Sequence, residues 1–372
     1  MGCQGAPGRV TMIRAGLVGF GLGGRVFHAP LLSSVEGIEL AAVVERSTDN
    51  AAARYPGLLT YRTLEEMLED KSLDLIVVST PSGTHFEIAR QVIAAGKNLV
   101  VDKPMAITST EIAQLMVLAA ARGVLLAPFH NRRWDSDFQT IQKIVGEGAL
   151  GRLVYLESRF DRWRPVLPTT RLWKESPAEG GGALRDLGTH LADQALFLFG
   201  KPEAVSADVE RERDTAQPGL DANDAFTLRL RYPGLMVVLG ANTLSLPPRP
   251  RFHLRGTRGN YWKSGLDPQE AALARITRIA DPLWGQEPVV EWGTLHVDVD
   301  GNPITHPVRP IPGDYRQYYI GIRDAILGKT PAPVAAVDAW RVARLLEWAA
   351  ESSLQRREIA CDWSDEPAGD CV

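Results

Sequence analysis

Cysteine is scarce in this chain of 372 residues, which has only Cys3, Cys361 and Cys371. An odd number of cysteines without a C-x-x-C pair makes no complete disulfide framework, so we predict reduced thiols in a cytoplasmic protein. The sequence also lacks any apolar run near the ~20 residues of a membrane span. Residues 1–16 lack the apolar core of a signal peptide. These absences argue against a secreted disulfide scaffold and against a membrane protein.

Positive charge is not in excess either. The formal net charge is -4, and the chain is 45% hydrophobic and 23% charged, which is the balance of an ordinary soluble globular protein. Neither a nucleic acid nor an anionic membrane is therefore expected as a partner. The length predicts two domains.

The motifs of three enzyme classes are missing. No tyrosine is followed four residues later by a lysine, a pair that short-chain dehydrogenases require. The seven histidines and three cysteines show no zinc-ligand spacing, so no metal is expected. A P-loop is excluded because Gly96-Lys97 lacks the upstream glycine and the following Ser or Thr.

The first half of the chain alternates apolar strands with amphipathic helices. Helical patterns such as HFEIARQVIAAGK lie between the apolar runs. Continuous apolar strands in this alternation predict a parallel sheet covered on both faces. The five apolar runs end near Val18, Glu45, Thr80, Val101 and His130.

The first strand runs into a glycine-rich turn, G-x-G-x-x-G, formed by Gly19, Gly21 and Gly24. A helix follows it, and Glu45 ends the next strand, which together indicate a dinucleotide fold. The glycines allow a tight turn, backbone approach to a pyrophosphate and close helix packing, and the helix N-terminus holds the phosphates. Phe20, inside the turn, is predicted to contact the cofactor as well.

Glu45 and its neighbour Arg46 make opposite predictions about the cofactor. Glu45 would accept hydrogen bonds from the adenosine ribose, which favours NAD, whereas Arg46 would hold the 2′-phosphate of NADP. The two electrostatic effects are of similar size. We therefore predict a protein that accepts NAD or NADP, with a modest preference for NAD.

Polar residues follow the strands at one edge of the predicted sheet, where ligands bind in open α/β folds. Lys103 stands between Asp102 and a strand-ending proline, Pro104, and is placed to meet a nicotinamide ring. A surface lysine beyond a strand is the simpler alternative. The predicted cofactor contacts at this edge are Thr80, Pro81, His85, Asp102 and Lys103.

From about Phe129 the pattern changes. Alternating runs such as FTLRLRY suit a sheet with one exposed face. We predict an α/β protein in which residues 12–129 form a Rossmann NAD(P)-binding domain. Residues 130–372 are predicted to form an α+β domain for substrate binding and oligomerisation, with an open-faced, mainly antiparallel sheet.

Two features of the second half are candidates for substrate chemistry. Asp186 and His190 are four residues apart and would share one face of an α-helix, so the carboxylate could orient the imidazole as an acid/base. A helix cap and a packed histidine would give the same spacing. Nearby aromatic and arginine residues would stack on and hydrogen-bond a sugar or polyol, or else pack at an interface. These residues are Arg132, Trp134, Arg162, Trp163 and Trp173.

Four segments, in order, resemble the glucose–fructose oxidoreductase/inositol dehydrogenase family (Gfo/Idh/MocA): VGFGLGGRVFHAP, STPSGTHFEIA, VVDKPMA and GGALRDLGTHLADQALFLFG. The resemblance covers the chain from about Ile13 to Asp362. The string FHNRRWDSDFQTI followed by DRWRP is similar, more narrowly, to the bacterial scyllo-inositol dehydrogenase-like branch. Where the family has a Glu-Lys-Pro motif, this chain has Asp-Lys-Pro.

The resemblance implies a Rossmann domain and an open-faced sheet domain, with a homodimer or homotetramer built through that sheet. It also implies NAD(P) and oxidation of a secondary alcohol of a sugar or cyclitol. The catalytic residues would be Lys103, Asp186 and His190, with either Lys103 or His190 as the proton acceptor. An NAD-dependent glycosidase acting by transient oxidation and a non-catalytic dinucleotide-binding regulator are the alternatives.

Overall fold

The computed structural model describes residues 12–214 and 217–368. Within these ranges the first sheet has six strands, all parallel, in the order β3-β2-β1-β4-β5-β6. This is the strand order of a Rossmann fold, and it confirms the predicted first domain type. The strands are β1 (Ile13–Val18), β2 (Ile38–Val44), β3 (Leu59–Tyr61), β4 (Leu75–Val78), β5 (Asn98–Val101) and β6 (Leu126–Pro128).

The helices of the first sheet connect its strands. A π-helical turn, Gly24–His28, leads into α1, and α3 and α5 each begin with a capping box. In α5 the box joins Thr108 and Glu111, and the helix ends at Gly123 in the left-handed conformation. The helices are α1 (Ala29–Leu32), α2 (Asn50–Arg54), α3 (Leu64–Glu69), α4 (His85–Ala94) and α5 (Ser109–Arg122).

The second sheet has nine strands in the order β14-β13-β12-β11-β7-β10-β9-β8-β15. Its pairs are antiparallel except β7 with β10, which confirms the mainly antiparallel prediction. The strands are β7 (Leu153–Arg159), β8 (Ala204–Glu210), β9 (Ala225–Tyr232), β10 (Leu235–Ala241), β11 (Phe252–Gly256), β12 (Gly259–Lys263), β13 (Gly293–Val299), β14 (Asn302–Val308) and β15 (Ile359–Ala360).

The two sheets are joined by shared helices. Tyr318 and Tyr319 are fully buried in a cluster with strand residues of the first sheet. Trp340 packs on the other face of that sheet, whereas Leu345 packs on the second sheet. The second half contains the helices α6 (Ser136–Gly146), α7 (Thr189–Phe199), α8 (Gln269–Leu273), α9 (Arg316–Ile326) and α10 (Ala336–Gln355). Since α10 contacts both sheets, it links the two units.

Cys361 is half-buried and has a free thiol, whereas Cys3 and Cys371 lie outside the described residues. In the described ranges, every helix is too short or too polar to span a membrane.

Candidate active site

The glycine-rich turn shows why each glycine is needed. Gly19 has φ +95°, and a Cβ there would lie 2.6 Å from the carbonyl oxygen of Ser79. A Cβ on Gly24 would collide with the carbonyl oxygen of Gly19, whereas a Cβ on Gly21 would meet no atom within 4 Å. Gly19 and Gly24 are therefore required by the turn, while the open space at Gly21 suits a ligand that approaches its backbone.

We expect Gly21→Ala and Gly24→Ala to fail differently. Gly24→Ala should lower stability by about 1–3 kcal/mol, because the methyl group meets rigid backbone. Gly21→Ala should keep the wild-type Tm but lower dinucleotide affinity at least ~10-fold, because the methyl group enters the ligand space. Thermal unfolding and fluorescence titration with each dinucleotide would measure both effects. Equal loss of Tm in the two variants would contradict this assignment.

A continuous cleft of about 1500 Å³ runs from the glycine turn to the second sheet. It lies outside the carboxyl ends of β1, β4 and β5, as expected for an open α/β sheet. Most of the residues predicted from the sequence line it: Gly19, Phe20, Gly21, Glu45, Arg46, Thr80, Pro81, His85, Asp102, Lys103, Arg132, Arg162, Trp173, Asp186 and His190.

Lys103 lies at the centre of this cleft. Its Nζ donates hydrogen bonds to the carbonyl oxygen of Asp186, at 2.7 Å, and to Asp186 Oδ1, at 2.8 Å. A second lysine, Lys174, donates to the same Oδ1 at 2.7 Å. One carboxylate is thus shared by two ammonium groups.

The electrostatics of this group follow from burial and charge. Burial lowers the pKa of Lys103, an effect that Asp186 opposes and Lys174 reinforces. Burial alone would raise the pKa of Asp186, but the two lysines outweigh it and hold the pKa well below its usual range. Burial, Lys103 and Arg132 hold the pKa of His190 well below its usual range, so His190 is neutral at pH 7.

The predicted pairing of Asp186 with His190 is not made. Asp186 belongs to a π-helical turn, Leu184–Gly188, and its carboxylate points to the lysines. His190 Nδ1 is buried without a partner in the described structure. The physical reason is electrostatic, because two ammonium groups, those of Lys103 and Lys174, hold the Asp186 carboxylate in place of the imidazole.

Asp102 hydrogen-bonds to the backbone of Lys103 and not to its ammonium group. Asp102 Oδ1 accepts a hydrogen bond from the Lys103 amide, at 2.8 Å, and Oδ2 accepts one from Ser79 Oγ, at 3.1 Å. Oδ2 also lies 3.4 Å from His28 Nε2, and His28 Nδ1 is 2.6 Å from the Tyr319 hydroxyl. The shorter Asp side chain therefore fixes the Lys103 backbone from within the first domain.

His85 also has a positioning role. Its Nδ1 lies 2.8 Å from the carbonyl oxygen of Pro104, and its Nε2 lies 2.9 Å from that of Thr80. His85 is buried, with both ring nitrogens engaged by backbone. It ties the loops after β4 and β5 together at the wall of the cleft, and its contact with a cofactor stays a prediction.

Glu45 lines the cleft, but its carboxylate is already engaged. Oε1 accepts a hydrogen bond from Thr48 Oγ1, at 2.6 Å, and Oε2 accepts one from the Ala51 amide, at 2.8 Å. Glu45 is 7% exposed, whereas Arg46 and Ser47 are exposed beside it. Glu45 thus holds the loop that presents these two residues.

Two predicted substrate residues lie elsewhere. Trp134 packs edge-on against Tyr318, with ring centroids 5.8 Å apart, and it does not line the cleft. Trp163 is half-exposed and forms an isolated β-bridge with Leu244, also outside the cleft. The packing alternative therefore describes Trp134, whereas Trp163 lies at the surface away from the cleft.

Several residues of the site escaped the sequence analysis. Lys174 follows Trp173 in a single 3-10 turn, Leu172–Glu175, within the long loop after β7, and so short a turn leaves no pattern in the sequence. His28 lies in the segment VFHAP directly after the glycine turn, and this position was the available signal. Asn131 follows β6 and lines the cleft, and its Nδ2 is buried without a partner in the described structure.

A dinucleotide fits this cleft. The Gly19–Gly24 turn would hold the pyrophosphate, the loop after β2 the adenosine end, and the residues near Lys103 the nicotinamide. The open space at Gly21 and the orphaned Asn131 amide both suit a polar ligand. In the described part of the chain, no group of three or more His, Cys, Asp and Glu side chains is placed to hold a metal ion.

Comparisons with known proteins agree with this geometry. Residues 13–130 match an oxidoreductase family with an NAD-binding Rossmann fold, and residues 138–262 match the GFO/IDH/MocA C-terminal domain. The chain is 38% identical over 348 residues to the oxidoreductase YdgJ of Escherichia coli (strain K12), covering 93% of this chain and 98% of YdgJ. It is 35% identical over 351 residues to scyllo-inositol 2-dehydrogenase (NADP(+)) IolW of Bacillus subtilis (strain 168), covering 94% and 96%.

A solved structure supports the same conclusion. The oxidoreductase yvaA from Bacillus subtilis superposes with a TM-score of 0.90 at 34% sequence identity, covering 95% of this chain and 99% of that one. The two family matches together span more than half of the sequence. The chain therefore belongs to the GFO/IDH/MocA family of oxidoreductases.

Proposed function

We propose that this protein is an NAD(P)-dependent dehydrogenase that acts on a secondary alcohol of a sugar or cyclitol. The observation that carries the proposal is the placement of Lys103, which pairs with Asp186 in the cleft that begins at the glycine turn. The name of IolW, an inositol dehydrogenase, supports this substrate class.

The chemistry divides between cofactor and protein. The nicotinamide, when bound, accepts the hydrogen and electron pair that leave the carbinol carbon as its C–H bond breaks. The hydroxyl proton passes to the protein as the C=O bond forms. Lys103 in its neutral form can accept that proton, since burial lowers its pKa. Neutral His190 is the other candidate acceptor. When Lys103 is neutral, the ammonium group of Lys174 remains paired with Asp186.

The test is a substrate panel followed at 340 nm with NAD⁺ and NADP⁺. Scyllo-inositol, myo-inositol and D-glucose would be compared, with a nitrophenyl glycoside as a further substrate. Reduced cofactor should accumulate with at least one polyol. Release of nitrophenol without net reduced cofactor would indicate a glycosidase instead. Saturable dinucleotide binding without turnover of any compound would indicate a regulator.

We also infer that NADP is preferred over NAD. The sequence-based preference for NAD rests on Glu45 as a ribose ligand, yet both Glu45 oxygens already hold the following loop. That loop presents Arg46 and Ser47 at the cleft, where a 2′-phosphate would find a cation and a hydroxyl. The name of IolW, which specifies NADP(+), agrees.

Arg46→Ala should therefore lower kcat/KM for NADP⁺ by ~10-fold or more while changing the NAD⁺ value little, since a charge-assisted hydrogen bond is worth about 1.5–3 kcal/mol. Steady-state kinetics with both cofactors measures this. Arg122, exposed at the end of α5 outside the cleft, offers a matched control as Arg122→Ala. A wild type that prefers NAD⁺, with an Arg46 variant that keeps the same preference, would contradict the assignment.

For assembly, we propose a homodimer or homotetramer through the outer face of the second sheet. His253 and Trp262 stack there with ring centroids 4.0 Å apart, and Arg255 lies over Tyr155. Trp262 is 42% exposed in the single chain, an aromatic patch of the kind enriched at interfaces. Sedimentation velocity should show an oligomer that Trp262→Glu weakens. A wild-type monomer at micromolar concentration would refute this assembly.

A further inference from the structure

Two arginines of the cleft have no carboxylate partner. The side chains of Arg162 and Arg164 line the cleft, and neither makes a hydrogen bond or ion pair to any described residue. Other arginines of the cleft wall are paired: Arg132 with Asp135 and Glu270, and Arg213 with Glu175 and Asp224. Arg171 and Arg185 also line the cleft without an ion pair to a described residue, so this wall of the cleft is rich in unpaired cations.

Both arginines stand on fixed backbone. The amide of Arg162 donates to the carbonyl oxygen of Asn242, at 2.9 Å, and that of Arg164 donates to Thr243, at 2.7 Å. These bonds continue the pairing of β7 with β10 beyond the end of the strand. The acidic groups whose charge acts on Arg162 are Asp186 and Glu270, so Arg162 lies at the Lys103 end of the cleft.

The charge at this end is not balanced. Lys103 and Lys174 share the single carboxylate of Asp186, and Arg162 and Arg164 add two cations without adding an anion. These four cations thus lie near two carboxylates, Asp186 and Glu270, and Glu270 is also paired with Arg132, in a chain whose formal net charge is -4. A neutral polyol would leave the two guanidinium groups uncompensated, whereas an anion would pair with them.

We infer that the substrate carries an anionic group, a carboxylate or a phosphate ester, which Arg162 and Arg164 bind while its carbinol faces Lys103. The inference rests on the proposed dehydrogenase function and narrows its substrate class. A planar guanidinium matches both anions with two parallel hydrogen bonds. The pyrophosphate of the cofactor is the competing anion, but it belongs at the Gly21 end of the cleft.

The experiment compares matched sugars with and without an anionic group: D-glucose, D-glucuronate and D-glucose 6-phosphate. We expect kcat/KM for at least one anionic sugar to exceed that of D-glucose at least ~10-fold. Arg164→Gln should lower the ratio of kcat/KM for the anionic sugar to kcat/KM for D-glucose by ~10-fold, to near one. Arg164 is exposed, so the variant is expected to fold normally. Arg309→Gln, which changes an exposed arginine outside the cleft, is the control.

The possible outcomes distinguish the inference of an anionic substrate from the proposed dehydrogenase function. A preference for D-glucuronate alone assigns a carboxylate, and one for D-glucose 6-phosphate alone assigns a phosphate. If D-glucose is oxidised as efficiently as both anionic sugars, the inference is wrong and the proposed dehydrogenase function is retained. If no sugar is oxidised, calorimetric titration of each anionic sugar into the NADP-bound protein tests the inference about the substrate. Saturable binding that is lost in Arg164→Gln supports the inference. Absence of binding to the wild type refutes it. A weaker Kd for NADP in Arg164→Gln, with unchanged sugar discrimination, would assign these arginines to the cofactor.

Discussion

Replacing Lys103 by methionine should lower kcat by at least ~10²-fold, the lower end of what a positioned acid/base group supplies. The ammonium group lies in the cleft 2.8 Å from Asp186 Oδ1, where it can stabilise a developing alkoxide or accept its proton. Methionine keeps the length of the apolar stem, so the fold should be retained. Dinucleotide affinity should stay within a few-fold of wild type, because the glycine turn is untouched.

The measurement pairs steady-state kcat with dinucleotide Kd from fluorescence titration. Lys71→Met, which changes an exposed lysine far from the cleft, controls for loss of a positive charge. Near-normal turnover in the Lys103 variant would remove Lys103 from the mechanism, and His190 would then be the remaining proton acceptor.

Much of this site was predictable because strand ends in an open α/β sheet share one edge. The strands next to Gly19 and Lys103 could be predicted because their buried residues form continuous hydrophobic runs. The edge strand β3 was missed because it has three residues that are only partly buried. Its short, half-exposed pattern does not differ from that of a loop.

The errors of the sequence analysis concern where side chains point. Asp186 and His190 have α-helical spacing, but two lysines bind the carboxylate and the imidazole does not. Lys174 comes from a loop 12 residues before Asp186, and no periodicity links the two. Glu45 lines the cleft where a ribose ligand is expected, and both of its oxygens also accept hydrogen bonds from its own loop. Such competition between partners within the chain is visible only in three dimensions.

Asp186→Asn should lower kcat/KM by ~10²-fold and move its pH dependence. Without the carboxylate, Lys103 and Lys174 face each other uncompensated, a costly state for partly buried charges. Asp186 raises the pKa of Lys103 whereas Lys174 lowers it. The limb on which the oxidation rate rises as Lys103 loses its proton should therefore shift to lower pH in Asp186→Asn and to higher pH in Lys174→Met.

These opposite shifts identify the proton acceptor. The charged groups acting on His190 are Lys103, Arg132, His130 and Asp186. If His190 were the acceptor, Lys174→Met would leave the limb in place. Lys174→Arg keeps the charge and should restore the wild-type profile. In double-mutant cycles, Asp186→Asn should couple strongly with Lys103→Met, which it contacts, and weakly with His190→Ala, which it does not. Strong coupling of Asp186→Asn with His190→Ala alone would indicate that Asp186 orients the imidazole.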